Sequence, residues 1–207
     1  MTMTGIKTTG DQPAVGVFAL QGDVAEHERV LTALGARVSK VRSGSDLEGL
    51  DGLIIPGGES SVMDKLSRLL GLAPAIQSAV ADGLPVYGTC AGMIMLADRI
   101  ANPITGQQSL GGLDITVRRN AFGSQVESFE TSLGVDEVSD KLVHAVFIRA
   151  PAVTQSGPEV QVLTRVETGE PVAVRQGNLL ATSFHPEVTG DWSFHRYFLE
   201  RIVAARG

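Results

Sequence analysis

The chain carries one cysteine in 207 residues, so an internal disulfide framework is excluded. No apolar run reaches the ~18 residues needed to cross a bilayer. Basic residues are outnumbered: 17 Lys and Arg stand against 23 Asp and Glu, for a net charge of -6. Nucleic-acid binding usually needs a basic face, and the balance argues against it. It leaves anionic small molecules open. Residues 1–13 hold a lysine but no apolar segment, so they read as a flexible tail and not as a secretory signal. No membrane segment, signal or disulfide set is expected, and these absences favour the cytoplasm. There is no internal repeat, low-complexity tract or linker. With 43% hydrophobic and 19% charged residues, residues 14–207 are expected to form a single domain with a full core.

The first half alternates strand and helix. Residues 14–20 (AVGVFAL) read as a buried strand. Asp23 and Glu26 have capping-box-like spacing ahead of a helix whose stripe is Val24, Val30, Leu31 and Leu34, with Gly35 after its end. Residues 37–41 and 53–55 read as strands. Ser60 or Ser61 would cap a helix with Val62, Met63, Leu66, Leu69 and Leu70 on one face. Residues 74–82 suit another helix, with Pro74 in its first turn and Gly83 beyond. Residues 85–88 read as a strand and 91–97 as a helix. Such alternation implies a parallel sheet covered by helices on both faces. In the second half, residues 115–117, 143–148, 160–166, 172–175 and 179–183 read as strands, the last two joined by a tight Gln176-Gly177-Asn178 turn. Asp191 would cap a final helix over 192–205 with Phe194, Phe198, Ile202 and Val203 buried.

Residues 85–93 (PVYGTCAGM) run from a strand into G-x-C-x-G and then into a helix. This is the nucleophile-elbow pattern with cysteine in place of serine. A nucleophile in a tight, strained turn needs small neighbours, here Gly88 and Gly92. Cys90 would then lie at a helix N-terminus, where the dipole and free N–H groups favour a thiolate. The N–H of Ala91 would face a developing oxyanion. By itself the motif fits a glutaminase, another thiol hydrolase or a redox-sensing cysteine, and a lone cysteine is often only a packing residue.

Of the four histidines, His27 reads as solvent-facing on a polar helix, His144 begins a strand and His195 lies in the final helix. His185 follows an apolar strand and opens His185-Pro186-Glu187. In extended chain, residues two apart share a side, so Glu187 would align the imidazole as a base. Pro186 would hold the segment extended. A zinc site is the weaker alternative, because the paired ligand spacing is missing. Residues 53–61 (LIIPGGESS) put two glycines where a strand meets a helix, the end of a parallel sheet at which ligands bind. Glycine lets backbone N–H groups approach a ligand, which suits an oxyanion hole opposite Cys90. A phosphate loop competes for this segment, but G-x-x-x-x-G-K-[ST] is absent.

In chain order PGGES, GTCAG and HPE resemble the class I glutamine amidotransferases. AVGVFALQGDVAEHE, PGGESS, GTCAGMIMLA, RRNAFGSQVESFE, FIRAP and TSFHPE are together similar to the glutaminase subunits of pyridoxal 5′-phosphate synthase, from about residue 14 to the C-terminus. The departures are Ser61 in place of the more usual Thr after PGGES, and the polar tail. The resemblance implies an α/β, three-layer, flavodoxin-like fold with a mostly parallel sheet flanked by helices. It implies Cys90 as nucleophile with His185 and Glu187 as partners, and Gly58 and Ala91 as oxyanion donors. Gly58, Glu59, Ser60, Arg119, Ile148 and Arg149 would contact glutamine, an arginine pairing its carboxylate and Glu59 its ammonium. No metal and no cofactor is implied; pyridoxal phosphate would be a product of the complex. The implied partner is a (β/α)8 synthase subunit that receives ammonia through a channel. The complex would hold twelve copies of each chain, with Gln21-Gly22-Asp23 near the interface. Three readings stay open: an amidotransferase serving another synthase, a thiol hydrolase of similar fold, and a binding subunit without activity.

Overall fold

A computed structural model describes residues 12–121 and 128–206 of the chain, so residues 1–11 of the expected tail and 122–127 of the RRNAFGSQVESFE segment lie outside the described residues. The order begins β1 (Ala14–Phe18), α1 (Val24–Ala33), β2 (Arg37–Val41), β3 (Gly52–Ile55), α2 (Ser60–Leu69), α3 (Leu72–Ala81), β4 (Val86–Thr89) and α4 (Ala91–Leu96). It continues β5 (Ala97–Ile100), β6 (Leu113–Arg118), β7 (Ser128–Val135), β8 (Ser139–Ile148), β9 (Ala152–Ser156), β10 (Gln161–Arg165), β11 (Pro171–Gln176), β12 (Leu179–Thr182), α5 (Pro186–Thr189) and α6 (Ser193–Tyr197).

Seven strands form the central sheet in the order β10-β11-β12-β4-β3-β1-β2. The run β12, β4, β3, β1, β2 is parallel throughout, and β11 and β10 add an antiparallel edge. The apolar runs follow from this: strands covered on both faces have no polar side to show. Successive residues feed opposite faces. Leu53, Ile55 and Val86 join one cluster with Met63, Leu72, Ile76 and Met93. Ile54 and Tyr87 join the other with Leu31, Phe147, Phe194, Phe198 and Ile202. The fold is therefore an α/β sandwich of helix, sheet and helix, as expected. Burial of each such side chain contributes roughly 1.5–3 kcal/mol. A small sheet β5-β6-β9 and the hairpin β7-β8 lie beside it. Among the described residues no helix is long and apolar enough to cross a membrane.

Several local expectations are corrected. The face α2 turns inward is Ser60, Met63, Asp64 and Ser67, whereas Leu69 is 71% and Leu70 58% exposed. The polar inner face is tolerated because it is hydrogen-bonded. Asp64 accepts from Arg68 Nε at 2.7 Å and from Gln108 N at 3.0 Å, and Ser67 Oγ donates to the Asp64 carbonyl at 2.9 Å. Neither Ser60 nor Ser61 caps this helix; Glu59 does, accepting from Ser61 N. Asp23 makes no side-chain cap on α1. Ala97 opens β5 instead of closing a helix, and β7 and β9 arise where no strand is expected. The final helix does bury Phe194, Phe198, Ile202 and Val203, but it widens into a π-helical turn over Phe198–Val203.

Candidate active site

The expected nucleophile, Cys90, sits where β4 ends. Cys90 has φ 49 and ψ -103, a strained backbone for a non-glycine residue. The flanking glycines explain how the turn is reached. A Cβ on Gly88 would lie 2.5 Å from the Gly92 carbonyl, and one on Gly92 would lie 2.0 Å from the Ile55 carbonyl. Cys90 N donates to the Thr182 carbonyl at 2.8 Å, so β12 pins the elbow. The thiol points toward the Ile148 carbonyl, 3.9 Å from Sγ.

His185 arrives from β12 and is held from β8, its N–H donating to the Val146 carbonyl at 3.0 Å. Nδ1 lies 2.7 Å from Glu187 Oε1. The alignment is as expected, but the reason is not extended chain. His185 is the N-cap of α5 with Pro186 in the first turn, so a helical start folds Glu187 back onto the ring. The ring is almost wholly buried and Glu187 wholly so. Burial disfavours the imidazolium, but Cys90 and Glu187 outweigh it and raise the His185 pKa to about 10. Engagement of Nδ1 by Glu187 leaves Nε2 for the thiol.

The glycine loop after β3 packs against the same ring. A Cβ on Gly57 would stand 2.4 Å from His185 Cε1. The loop is tied down by the segment after β1: Asp23 N donates to the Gly57 carbonyl at 3.1 Å, and Glu59 N to Gln21 Oε1 at 2.8 Å. Across the cavity Arg119 Nη2 donates to Glu59 Oε1 at 3.1 Å, and its Nη1 to Gln107 Oε1 at 3.1 Å. Gln107 in turn donates to Ser60 Oγ at 3.0 Å. Arg149 follows β8 with φ 44.

One cavity thus gathers Gly58, Glu59, Ser60, Cys90, Ala91, Arg119, Ile148, Arg149 and His185, with Glu187 directly behind the ring. These residues come from the ends of β3, β4, β6, β8 and β12, close in space though far apart in sequence. Gln21, Asp23 and Asn120 also line it, and sequence reasoning gives none of them a part in the site. Sequence resemblance ties the Q-G-D segment only to a partner surface. Asp23 Oδ2 lies 3.6 Å from His185 Nδ1, and burial raises its carboxyl pKa while His185 lowers it. Ligand atoms of Asp23, His185 and Glu187 fall within 4.8 Å of one another. Both carboxylates address one ring nitrogen, which suits a charged imidazole.

His27 overturns its solvent-facing assignment. It is fully buried, with Nδ1 2.9 Å from His195 Nε2 and Nε2 3.1 Å from Thr89 Oγ1. The helix that carries it is polar on average, but this position faces the sheet beneath Glu187.

A cysteine elbow on an α/β sheet, opposed by a His–Glu pair and a glycine loop, is the chemistry of an acyl-transfer thiol enzyme, and the fold is that of the class I glutamine amidotransferases. A solved structure described as a glutamine amidotransferase shares 49% identity and a TM-score of 0.86, covering 92% of this chain and 98% of its own. The structure of PurLQS from Thermotoga maritima, at 18% identity, shares the fold with a TM-score of 0.66 over 91% of this chain and 98% of its own. A family model described as the SNO glutamine amidotransferase family matches residues 17–204, and the chain belongs to that family. It is 62% identical over 196 residues to the pyridoxal 5′-phosphate synthase subunit PdxT of Clavibacter michiganensis subsp. michiganensis, covering 95% of this chain and 94% of that protein.

Proposed function

We propose that this chain is the glutaminase subunit of a pyridoxal 5′-phosphate synthase, hydrolysing L-glutamine to L-glutamate and ammonia and passing the ammonia to a synthase subunit. The observation that carries the chemistry is the elbow: Cys90 at φ 49, facing a His185 whose Nδ1 is held 2.7 Å from a buried carboxylate. The pathway rests on the 62% identical relative and on the motifs from QGD to HPE. The resemblance implies a (β/α)8 partner and twelve copies of each chain, and a cytoplasmic setting completes the reading.

The geometry supports one mechanism. His185 holds the thiol proton through Nε2 while Glu187 stabilises the imidazolium. The Cys90 sulfur attacks the side-chain carboxamide carbon of glutamine. The tetrahedral oxyanion forms beside Gly58 and Ala91, whose N–H groups are its donors; losing one such donor typically costs about 10²–10³ in rate. His185 returns its proton to the departing nitrogen, releasing ammonia and leaving a glutamyl thioester. Water, deprotonated by His185, hydrolyses the thioester to glutamate and frees the thiol. Arg119 or Arg149 pairs the substrate carboxylate, and Glu59 its ammonium.

The test is glutamate and ammonia release from glutamine, with and without the (β/α)8 synthase subunit, beside Cys90→Ala. Activity that rises with the partner and vanishes in the variant is expected. Activity retained by Cys90→Ala would sink the mechanism, and indifference to the partner would sink the pathway.

A further inference from the structure

Glu187 uses one carboxylate oxygen on His185. The other, Oε2, is buried and has no hydrogen-bond partner among the described residues. It faces His27 Nε2 at 3.7 Å. Behind it the chain of contacts continues to His195 Nε2, 2.9 Å from His27 Nδ1, and sideways to Thr89 Oγ1, 3.1 Å from His27 Nε2. Thr89 is the residue before the nucleophile. Three elements therefore meet at His27: the elbow through Thr89, α5 through Glu187 and the final helix through His195.

The protons in this chain follow from its acceptors. At 3.7 Å the carboxylate oxygen and His27 Nε2 are in electrostatic contact and not hydrogen-bonded. A lone pair facing a carboxylate is repelled, which favours the hydrogen on Nε2, where Thr89 Oγ1 can accept it at 3.1 Å. A neutral His27 then has a bare Nδ1, which accepts from His195 Nε2–H. The atom left over is His195 Nδ1, a bare ring nitrogen, and it too is buried without a partner among the described residues. Both rings are fully enclosed, which penalises an imidazolium, and His195 and His185 further oppose charge on His27. The other polar groups nearby do not change this assignment. Arg29 donates to the Glu187 backbone carbonyl at 3.4 Å, Asp23 addresses His185, and the Tyr87 hydroxyl pairs with Thr182 Oγ1 at 3.1 Å.

We propose that His27 and His195 are positioning residues: a neutral imidazole pair, each with its hydrogen on Nε2, that holds Glu187 in line with His185 and couples it to the elbow. Neutrality is the point of the arrangement. A charged His27 would form a second ion pair with Glu187 and weaken its support of the His185 imidazolium. A neutral N–H turned toward the carboxylate holds it by its dipole across 3.7 Å and leaves its charge to His185. The inference deepens the glutaminase reading and rests on it for the roles of Cys90 and His185.

The whole chain suffices for the test. Nitrogen-15 NMR of the imidazoles is expected to show His27 and His195 as neutral Nε2–H tautomers from pH 8 down to about pH 5, below the ordinary histidine range. Cys90 is the single cysteine, so iodoacetamide reports on it alone. In His27→Leu the His185 titration midpoint is expected to fall by about one unit, and the alkaline limb of the alkylation profile to move down with it. His27→Gln keeps an N–H near the Nε2 position and is expected to restore most of that loss. Melting curves of each variant separate this from damage to packing. A charged His27 at pH 7, the opposite tautomer, a folded Leu variant that alkylates like the parent, or equal loss in the Gln and Leu variants would each overturn the proposal. Should the Leu variant not fold, the parent spectrum decides alone. Glutamine hydrolysis by the parent with its synthase subunit is scored separately, so failure of the glutaminase reading is distinguishable from failure of this one.

Discussion

Gly92 meets the backbone of Ile55 so closely that a Cβ on Gly92 would stand 2.0 Å from the Ile55 carbonyl oxygen. Ile55 ends β3, the strand that leads into the glycine loop, and Gly92 is the second residue of α4, two positions after Cys90. The contact therefore sets the spacing between the proposed oxyanion loop and Cys90. Gly92→Ala is expected to force the two apart, at about 1–3 kcal/mol of stability for overpacking. Glutaminase turnover should fall by at least tenfold more than unfolding explains. Denaturant melts beside kcat measured with the synthase subunit check both numbers.

The Arg119–Glu59 pair bridges the cavity at 3.1 Å, with the arginine side chain only 12% exposed. A charge-assisted bond in such a place is worth about 1.5–3 kcal/mol. Arg119→Ala is expected to raise KM for glutamine by about 10- to 100-fold and to change kcat less. Arg119→Lys should recover only part, since a single ammonium cannot reach Glu59 and Gln107 as the guanidinium fork does. A variant whose KM is unchanged would remove Arg119 from the substrate site.

Stability should peak near pH 6.5. In the fold His185 keeps its proton up to about 10, against an ordinary 6.5. Its contribution is complete below 6.5, where both states are protonated, and is lost as pH rises toward 10. His195 is pushed down to about 3 by burial, and His27 well below 6.5 by burial and by His195 and His185. As pH falls below 6.5 the unfolded chain takes up protons that these buried rings refuse, so stability is lost on that side too. Each proton gives a slope of about 1.4 kcal/mol per pH unit. Urea melts at pH 5, 6.5 and 8.5 should show both arms, and His195→Gln should reduce the acid slope to about half. A flat profile would contradict the burial of this histidine pair.

Helix α2 offers a contrast between two apolar residues on one helix. Leu69 is 71% exposed and Met63 is fully buried. Leu69→Glu is expected to change stability by less than about 0.5 kcal/mol. Met63→Ala should cost about 2–5 kcal/mol, because it opens a cavity between helix and sheet. Thermal melts of the pair decide which face of α2 the core holds.

Much of the site is legible in the sequence because its pieces are contiguous. G-T-C-A-G requires close backbone packing, P-G-G ends a strand where ligands bind, and H-P-E brings a base and a carboxylate together within three residues. Even here the cause differs for one piece: Glu187 reaches His185 through a helical start and not through extended chain. The alternation of strands and helices in the first half is legible for a similar reason, since strands buried on both faces show as apolar runs. The half-exposed β7 and β9 show no such run, and the sequence gives no sign of them.

By itself, then, the sequence determined the cysteine elbow, the paired histidine and carboxylate, the glycine loop and the α/β layering, because each is set by backbone sterics or burial over a few adjacent residues. The tertiary structure alone decided which polar residues are enclosed. His27 looks like a surface residue along its helix, yet it is sealed between the elbow, α5 and the final helix, 168 positions from the His195 it touches. Ser67 and Asp64 displace leucines from the inner face of α2 because distant and neighbouring partners satisfy them there. Burial of a polar group depends on which partners the fold delivers, and those partners lie too far along the chain for any local pattern to announce them.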